Sequence, residues 1–325
     1  MVEMTAVELT YAAARWITYG SVLLAFGVAV FLAAIHDRRA SELRVQGGLI
    51  VGGALLGALS TVAEVCLHSS ELSRGEGMFP LEGRTFVASM ESVVGLAALT
   101  RLAGIILLLV GVAWAFRGGR SWGPLAGGAL ATVSFVLAGH TATADPRWLS
   151  MVADCSHLLA AGIWFGGLVA LAVMLRRRRS ADDAVGGASL IARVSAWATV
   201  ALLVVLLAGI ALTWVEVRSL EELTQSGYGR TLGLKVALVL LVVLLGGYNN
   251  RRLVPTISRI WDDGGQQGPL RAWRRLGTTV RLEVVGIVAV LAVTAFLVET
   301  PPPRDDGAGQ HMTADASATS EEAPA

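Results

Sequence analysis

Cysteine is nearly missing from this chain: Cys66 and Cys155 are its only two thiols, and they lie in different apolar stretches. They can build no CxxC redox pair, no zinc spacing and no disulfide framework. Other elements are absent as well. There is no P-loop to hold ATP and no Cys-Pro-Cys triplet inside an apolar run, the element a metal-pumping ATPase needs. Neither GxSxG nor HExxH occurs, so nothing points to a membrane hydrolase. An enzymatic reading therefore has little to stand on, and none is expected. Charge is scarce too. Charged residues make up 16% of the chain, against about 25% in soluble domains. The formal net charge is +1, and no nucleic-acid partner is expected.

What the chain has is apolar sequence. Hydrophobic residues make up 54% of it, gathered into repeated runs of about 20 residues, the length that crosses a bilayer as helix. The alternating segments of about 10 residues that mark a membrane β-barrel are absent. The expected fold is all-α, a polytopic transmembrane helix bundle. Eight spans are read at 11–35, 47–67, 93–116, 122–140, 150–175, 191–215, 231–250 and 281–298. The first is too long for a signal-peptide core, and Glu3 and Glu8 precede it with no positive charge before Arg15, so it is expected to remain as a helix. Residues 1–300 thus read as one transmembrane domain. Residues 301–325 open on Pro301, Pro302 and Pro303 and turn polar and acidic, which predicts a disordered tail. His311 and Met312 within it read as a chance pair.

The loops set an orientation. Alternate connections carry seventeen of the basic residues, including Arg38, Arg39, Arg176 to Arg179, Arg251, Arg252, Arg274 and Arg275. The opposite side carries six, and three more (Arg15, Arg101 and Lys235) lie within spans. By the positive-inside rule the arginine-rich loops are cytoplasmic, and both termini face outward, periplasmic or extracellular. The expected location is the cytoplasmic membrane. On the outer side, residues 70–92 form the longest loop and are expected to hold a short helix lying on the bilayer.

This orientation collects the metal-type side chains at one level. His68 ends the second span and His140 the fourth, both on the outer side. Met151, Asp154 and His157 follow at i, i+3, i+6, within about one face of the fifth span. His157 lies roughly 10 Å deep at 1.5 Å per residue. Glu64 is one turn before His68, and Cys66 and Cys155 share the level. Imidazole suits copper, zinc and iron, while thiolate and thioether select Cu(I). A carboxylate that orients a ring would complete a metal entry site. Taken singly, His68 and His140 also read as polar helix ends, and the cysteines as small packing residues. Asp154 and His157 lie inside a span, where polar groups are costly unless paired, and that makes them the strongest functional candidates.

Three further charges lie within spans. Arg101 is too deep to snorkel and calls for a carboxylate or backbone partner. Lys235 and Glu283 read as interhelical ion pairs or snorkelling groups. Tyr248, Asn249 and Asn250 end the seventh span, where they would line an exit or cap the helix. Among the 37 glycines, Gly47, Gly48, Gly52, Gly53 and Gly57, and Gly127 with Ala131, form small-xxx-small patterns that allow helices to approach closely.

An ordered set of motifs resembles the copper resistance protein D (CopD) family of bacterial inner-membrane proteins. The set comprises Gly139-His140, Asp154-x-x-His157 and Trp164-x-Gly166-Gly167. It continues with Arg193-Val194-Ser195, Gly209, Tyr228-Gly229 before Leu232 and Lys235, and Asn250-Arg251 with Pro255. Arg281-Leu282-Glu283 and Thr294-Ala295 before the prolines complete it. The match is dense from 139 to 303 and looser from 1 to 138. The resemblance implies inward copper transport, with His140, Asp154 and His157 as metal-binding residues. It also implies a separate periplasmic copper-binding partner of the CopC type, a domain that some relatives carry fused and this sequence lacks. Glu64, Cys66 and His68 are additions from their placement and not from the family pattern, and Met151 joins the copper set from its spacing with Asp154 and His157. Two other classes compete. One is a b-type haem protein, since two histidines on neighbouring helices can ligate haem iron. The other is an assembly factor for a copper oxidase, which predicts a stable partner and no net flux.

Overall fold

The computed structural model describes residues 6–34, 40–72, 83–118, 122–138, 146–177, 181–216, 227–255 and 267–299. Among the described residues there are nine α-helices and no strand: α1 (Ala6–Ala34), α2 (Ala40–Leu72), α3 (Gly83–Glu91), α4 (Val93–Phe116), α5 (Trp122–Leu137), α6 (Arg147–Arg177), α7 (Ala181–Glu216), α8 (Gly227–Tyr248) and α9 (Gln267–Glu299). A π-helical turn, Asn249–Leu253, continues α8. Seven helices are long and apolar enough to cross a membrane, and the sixteen-residue α5 is a shorter apolar eighth. The chain is a polytopic helical membrane protein. Among the described residues, each of the eight spans read from the sequence matches one helix, and the helices overrun them at many ends. The overrun has a physical basis. A hydropathy boundary marks where the apolar run stops, but the backbone hydrogen-bond ladder continues into polar residues such as Glu42 and Arg176. The tail beyond 300, His36 and His140 lie outside the described residues.

Local chemistry sets several helix ends. Ser92 caps α4, its hydroxyl accepting from the Val94 and Gly95 amides at 3.2 and 3.4 Å. After α4, Gly118 adopts φ +87°, which reverses the chain cheaply only without a Cβ, and its amide donates to the Ala115 carbonyl. Pro146 precedes α6, where its carbonyl accepts the Leu149 and Ser150 amides. The helix expected within 70–92 is α3, and Ser69 Oγ donates to Thr85 Oγ1 at 3.3 Å to hold it near the end of α2.

α1 is the hub. It packs against α2, α5, α6 and α9, and Val22, Leu23, Ala25, Phe26, Val28 and Ala29 are all buried along it. Lipid offers no hydrophobic drive between helices, so close backbone approach must supply the packing. It does so at Gly27, where a Cβ would overlap the Gly162 carbonyl oxygen and lie 2.8 Å from Gly166 Cα. α4 and α5 close on each other the same way at Gly104, Gly127 and Ala131. In α2 the glycine pattern divides. Gly53 and Gly57 meet α1, Gly47 meets Phe116, and Gly48 and Gly52 meet nothing. On the outside, Leu55, Leu59, Ile106, Val110, Leu207, Ile210 and Leu244 form an exposed apolar surface suited to lipid.

Candidate functional site

One end of the bundle gathers the C-terminal ends of α2, α5, α7 and α9 with the N-terminal ends of α1, α4 and α6. Here Arg101 of α4 is 4% exposed, a cation that needs compensation. Its Nη1 donates to Glu64 Oε2 of α2 at 3.2 Å, and its Nε donates to Ser134 Oγ of α5 at 3.2 Å. The guanidinium lies 4.0 Å from the centroid of Phe135, and Phe135 stacks on Tyr19 of α1 at 4.2 Å. The carboxylate partner that Arg101 calls for is thus Glu64. The second carboxylate oxygen, Glu64 Oε1, is buried with no partner among the described residues. Beside it lies a cavity of about 30 Å³ lined by Arg15, Tyr19, Thr61, Glu64, Arg101 and Phe135, among others. That is room for about one water.

The other half of the constellation sits on α6. Met151, Asp154 and His157 are all half-buried. The ring nitrogen His157 Nδ1 lies 3.0 Å from the Val205 carbonyl oxygen of α7. A carbonyl only accepts, so Nδ1 carries the hydrogen. In the neutral ring Nε2 then keeps its lone pair, the arrangement found in metal-ligating histidines. The sequence offers Asp154 either to orient this ring or to bind the ion directly; in the structure the Val205 carbonyl holds Nδ1. Gly209 gives the ring its space, since a Cβ there would lie 3.5 Å from Cε1. Lys235 of α8 lies within electrostatic reach of His157.

α1 packs against both halves: α2 packs on α1, α3 and α4, and α6 packs on α1, α5, α7 and α9. The Tyr19 hydroxyl is within electrostatic reach of both Glu64 and Asp154. His68 is half-buried at the end of α2. Cys66 and Cys155 are both free thiols and half-buried. Among the described residues, no three His, Cys, Asp or Glu side chains come close enough together to hold a metal ion. His140 lies outside those residues.

Residues 4–148 match the family described as "Copper resistance protein D-like, N-terminal domain", and residues 188–297 match "Copper resistance protein D". The chain belongs to the copper resistance protein D family. It is 26% identical over 307 residues to "Copper resistance protein D" of Pseudomonas syringae pv. tomato, covering 91% of this chain and 97% of that one. It is also 31% identical over 108 residues to "Copper transport protein CutJ" of Bacillus subtilis (strain 168), covering 33% of this chain and 20% of that protein. No solved structure matches. This member of the copper resistance protein D family is therefore a copper-related, multi-pass membrane protein. Met151, Asp154 and His157 lie between the two matched segments.

Several residues of the site escaped sequence reasoning. Tyr19, Ser134 and Phe135 were not singled out, although Tyr19 stands one helical turn after Arg15 in an otherwise apolar run. Arg15 itself donates to the Tyr11 hydroxyl at 3.2 Å, and its guanidinium lies 4.9 Å from the Tyr11 ring.

Proposed function

We propose that this chain carries copper inward across the cytoplasmic membrane, without ATP and without catalysing a covalent reaction. The observation behind this reading is the state of His157: Nδ1 is held by the Val205 carbonyl, leaving Nε2 to bind a metal inside a helix bundle of a copper-related family. Met151 and Asp154, within the two turns of α6 before His157, offer a thioether and a carboxylate, and His140 precedes α6 in the chain. Imidazole and thioether together suit Cu(I). Glu64 is a weaker candidate for the ion, because the Arg101 guanidinium already compensates its charge at 3.2 Å. The distribution of arginines between alternate loops supports an outward-facing His157 end, and the inward direction follows from the family resemblance. A periplasmic copper-binding protein of the CopC type would deliver the ion to the outer end.

Removing the ring should show directly. Loss of an outer-shell partner alone typically costs about 10–100-fold in metal affinity, so His157→Ala is expected to lose at least that much. Copper bound per purified protein and copper accumulated by cells both measure it. Gly209→Leu is expected to weaken binding with His157 intact, because its branched carbons would press the ring off Val205, while Gly209→Ala adds only an ordinary contact. Unchanged copper accumulation in His140→Ala/His157→Ala would sink the reading. A Soret band in the wild type would move the histidines to haem instead.

A further inference from the structure

The opposite end of the bundle carries a polar junction that the copper reading does not use. Glu283 of α9 is 3% exposed, so it does not snorkel. Nor does it form an ion pair among the described residues. Its Oε1 accepts a hydrogen bond from Asn249 Nδ2, the first residue of the π-helical turn that follows α8. Thr279 Oγ1 lies 2.6 Å from Asn249 Oδ1. The amide thus presents its oxygen to Thr279, whose hydroxyl also lies 3.1 Å from the Arg275 and Leu276 carbonyls, and its nitrogen to Glu283. The next residue, Asn250, faces another helix. Its Oδ1 accepts from Ser195 Oγ of α7 at 2.8 Å, and its Nδ2 donates to Thr199 Oγ1 at 3.3 Å. The neighbouring asparagines thus bond two different helices from one widened turn. Such π turns inside helices are frequent at functional sites.

No charged or titratable group of α9, or of the helices packed against it (α1, α6, α7, α8 and the π turn), acts on Glu283 among the described residues. A carboxylate in an apolar interior with one neutral donor is costly to keep. Something positive must arrive to compensate it. Soft Cu(I) is a poor match, because the junction offers carboxylate, amide and hydroxyl oxygens and neither sulfur nor imidazole. A proton fits. With Oε1 occupied by the Asn249 amide, the free position is Oε2, and Oε2 faces Gly246, where a Cβ would lie 3.3 Å away. The exposed Arg251, Arg252, Arg274 and Arg275 mark the open end nearby.

We propose that Glu283 is a proton-binding site: Oε2 takes a proton from water at the arginine-rich end of the bundle, the carboxylate becomes a carboxylic acid, and the same proton returns to water on release. Its coupling to copper movement rests on the transport reading above, but the binding itself does not. The test is infrared difference spectroscopy on full-length, copper-free protein in lipid, stepped between acidic and alkaline pH. The expected result is a carboxylic-acid C=O band that appears on acidification, disappears in Glu283→Gln and survives in Glu64→Gln. Glu283→Asp should shift the band's frequency, which keeps the assignment testable if the glutamine variant folds poorly. A wild type without the band, or a band unchanged in both Glu283 variants, overturns the proposal. Vesicles carrying a pH dye separate the two readings. If the band is present but no copper moves, the proton site stands and the transport reading fails. If copper moves without any titrating band, the transport reading stands and this site fails.

Discussion

Arg101→Ala is expected to destabilise the folded bundle by about 3–5 kcal/mol, the usual cost of removing one partner from a buried ion pair. The size follows from what remains. Glu64 would keep a buried carboxylate whose Oε1 already lacks a partner among the described residues and whose Oε2 would lose its partner too. Ser134 would lose a contact, and Phe135 would lose the cation over its face. Glu64→Ala should cost a similar amount, leaving Arg101 with Ser134 and the ring. Replacing both with apolar residues of like volume (Glu64→Leu with Arg101→Met) should recover most of the loss, since such swaps are often neutral. Thermal unfolding of the four proteins in detergent measures this. The same double variant bears on function. If Glu64 serves the bundle and not the cargo, the recovered protein keeps its copper binding; loss of copper binding in a protein as stable as the wild type would place Glu64 among the ligands.

The second large effect is steric. Gly27→Val is expected to abolish the correctly packed protein. A Cβ at Gly27 would overlap the Gly162 carbonyl oxygen and crowd Gly166 Cα, and both obstacles are backbone. Overpacking of a core costs about 1–3 kcal/mol when side chains can shift, and more when they cannot. Here α1 would have to move away from α6, and α1 also holds α2, α5 and α9. Gly20→Val is the control, because a Cβ at Gly20 meets nothing within 4 Å. A monodisperse elution profile for Gly20→Val and an aggregated one for Gly27→Val is the expected pair of results. Equal profiles would mean that the α1–α6 seam opens enough to admit the side chain.

These two cases also show what a linear reading can see. The spans were legible because apolar runs of bilayer length have few alternative explanations. That Arg101 needed a carboxylate was legible from its depth. That Glu64 would supply it was not, because the choice depends on α2 and α4 packing side by side, and no spacing along the chain encodes that. Gly166 stood out within the Trp164-x-Gly166-Gly167 motif, but its partner Gly27 did not. A glycine facing a glycine leaves no side chain to notice. Nor could the orientation of His157 be read, since its partner is the Val205 carbonyl, which carries no residue identity. Asn249 and Asn250 look like a helix end in sequence. The structure instead sends their side chains to α9 and α7, and the π turn that makes this possible has no periodic signature.

The arrangement of polar groups also suits the order in which a ribosome delivers the helices. α1 emerges before α9 and must wait in lipid for it, since the Trp16 indole donates to the Val288 carbonyl of α9 at 3.2 Å. It can wait because it satisfies much of its own polarity: Thr18 donates to the Ala14 carbonyl, Ser21 to the Ile17 carbonyl and Arg15 to Tyr11, all within one turn. Arg101 has no such partner on its own helix among its assigned bonds. Its acceptor, Glu64, is on α2, which is already in the bilayer when α4 arrives. The nascent chain thus supplies the anion before the cation that needs it, and a translocon releasing helices in sequence would never have to hold Arg101 uncompensated.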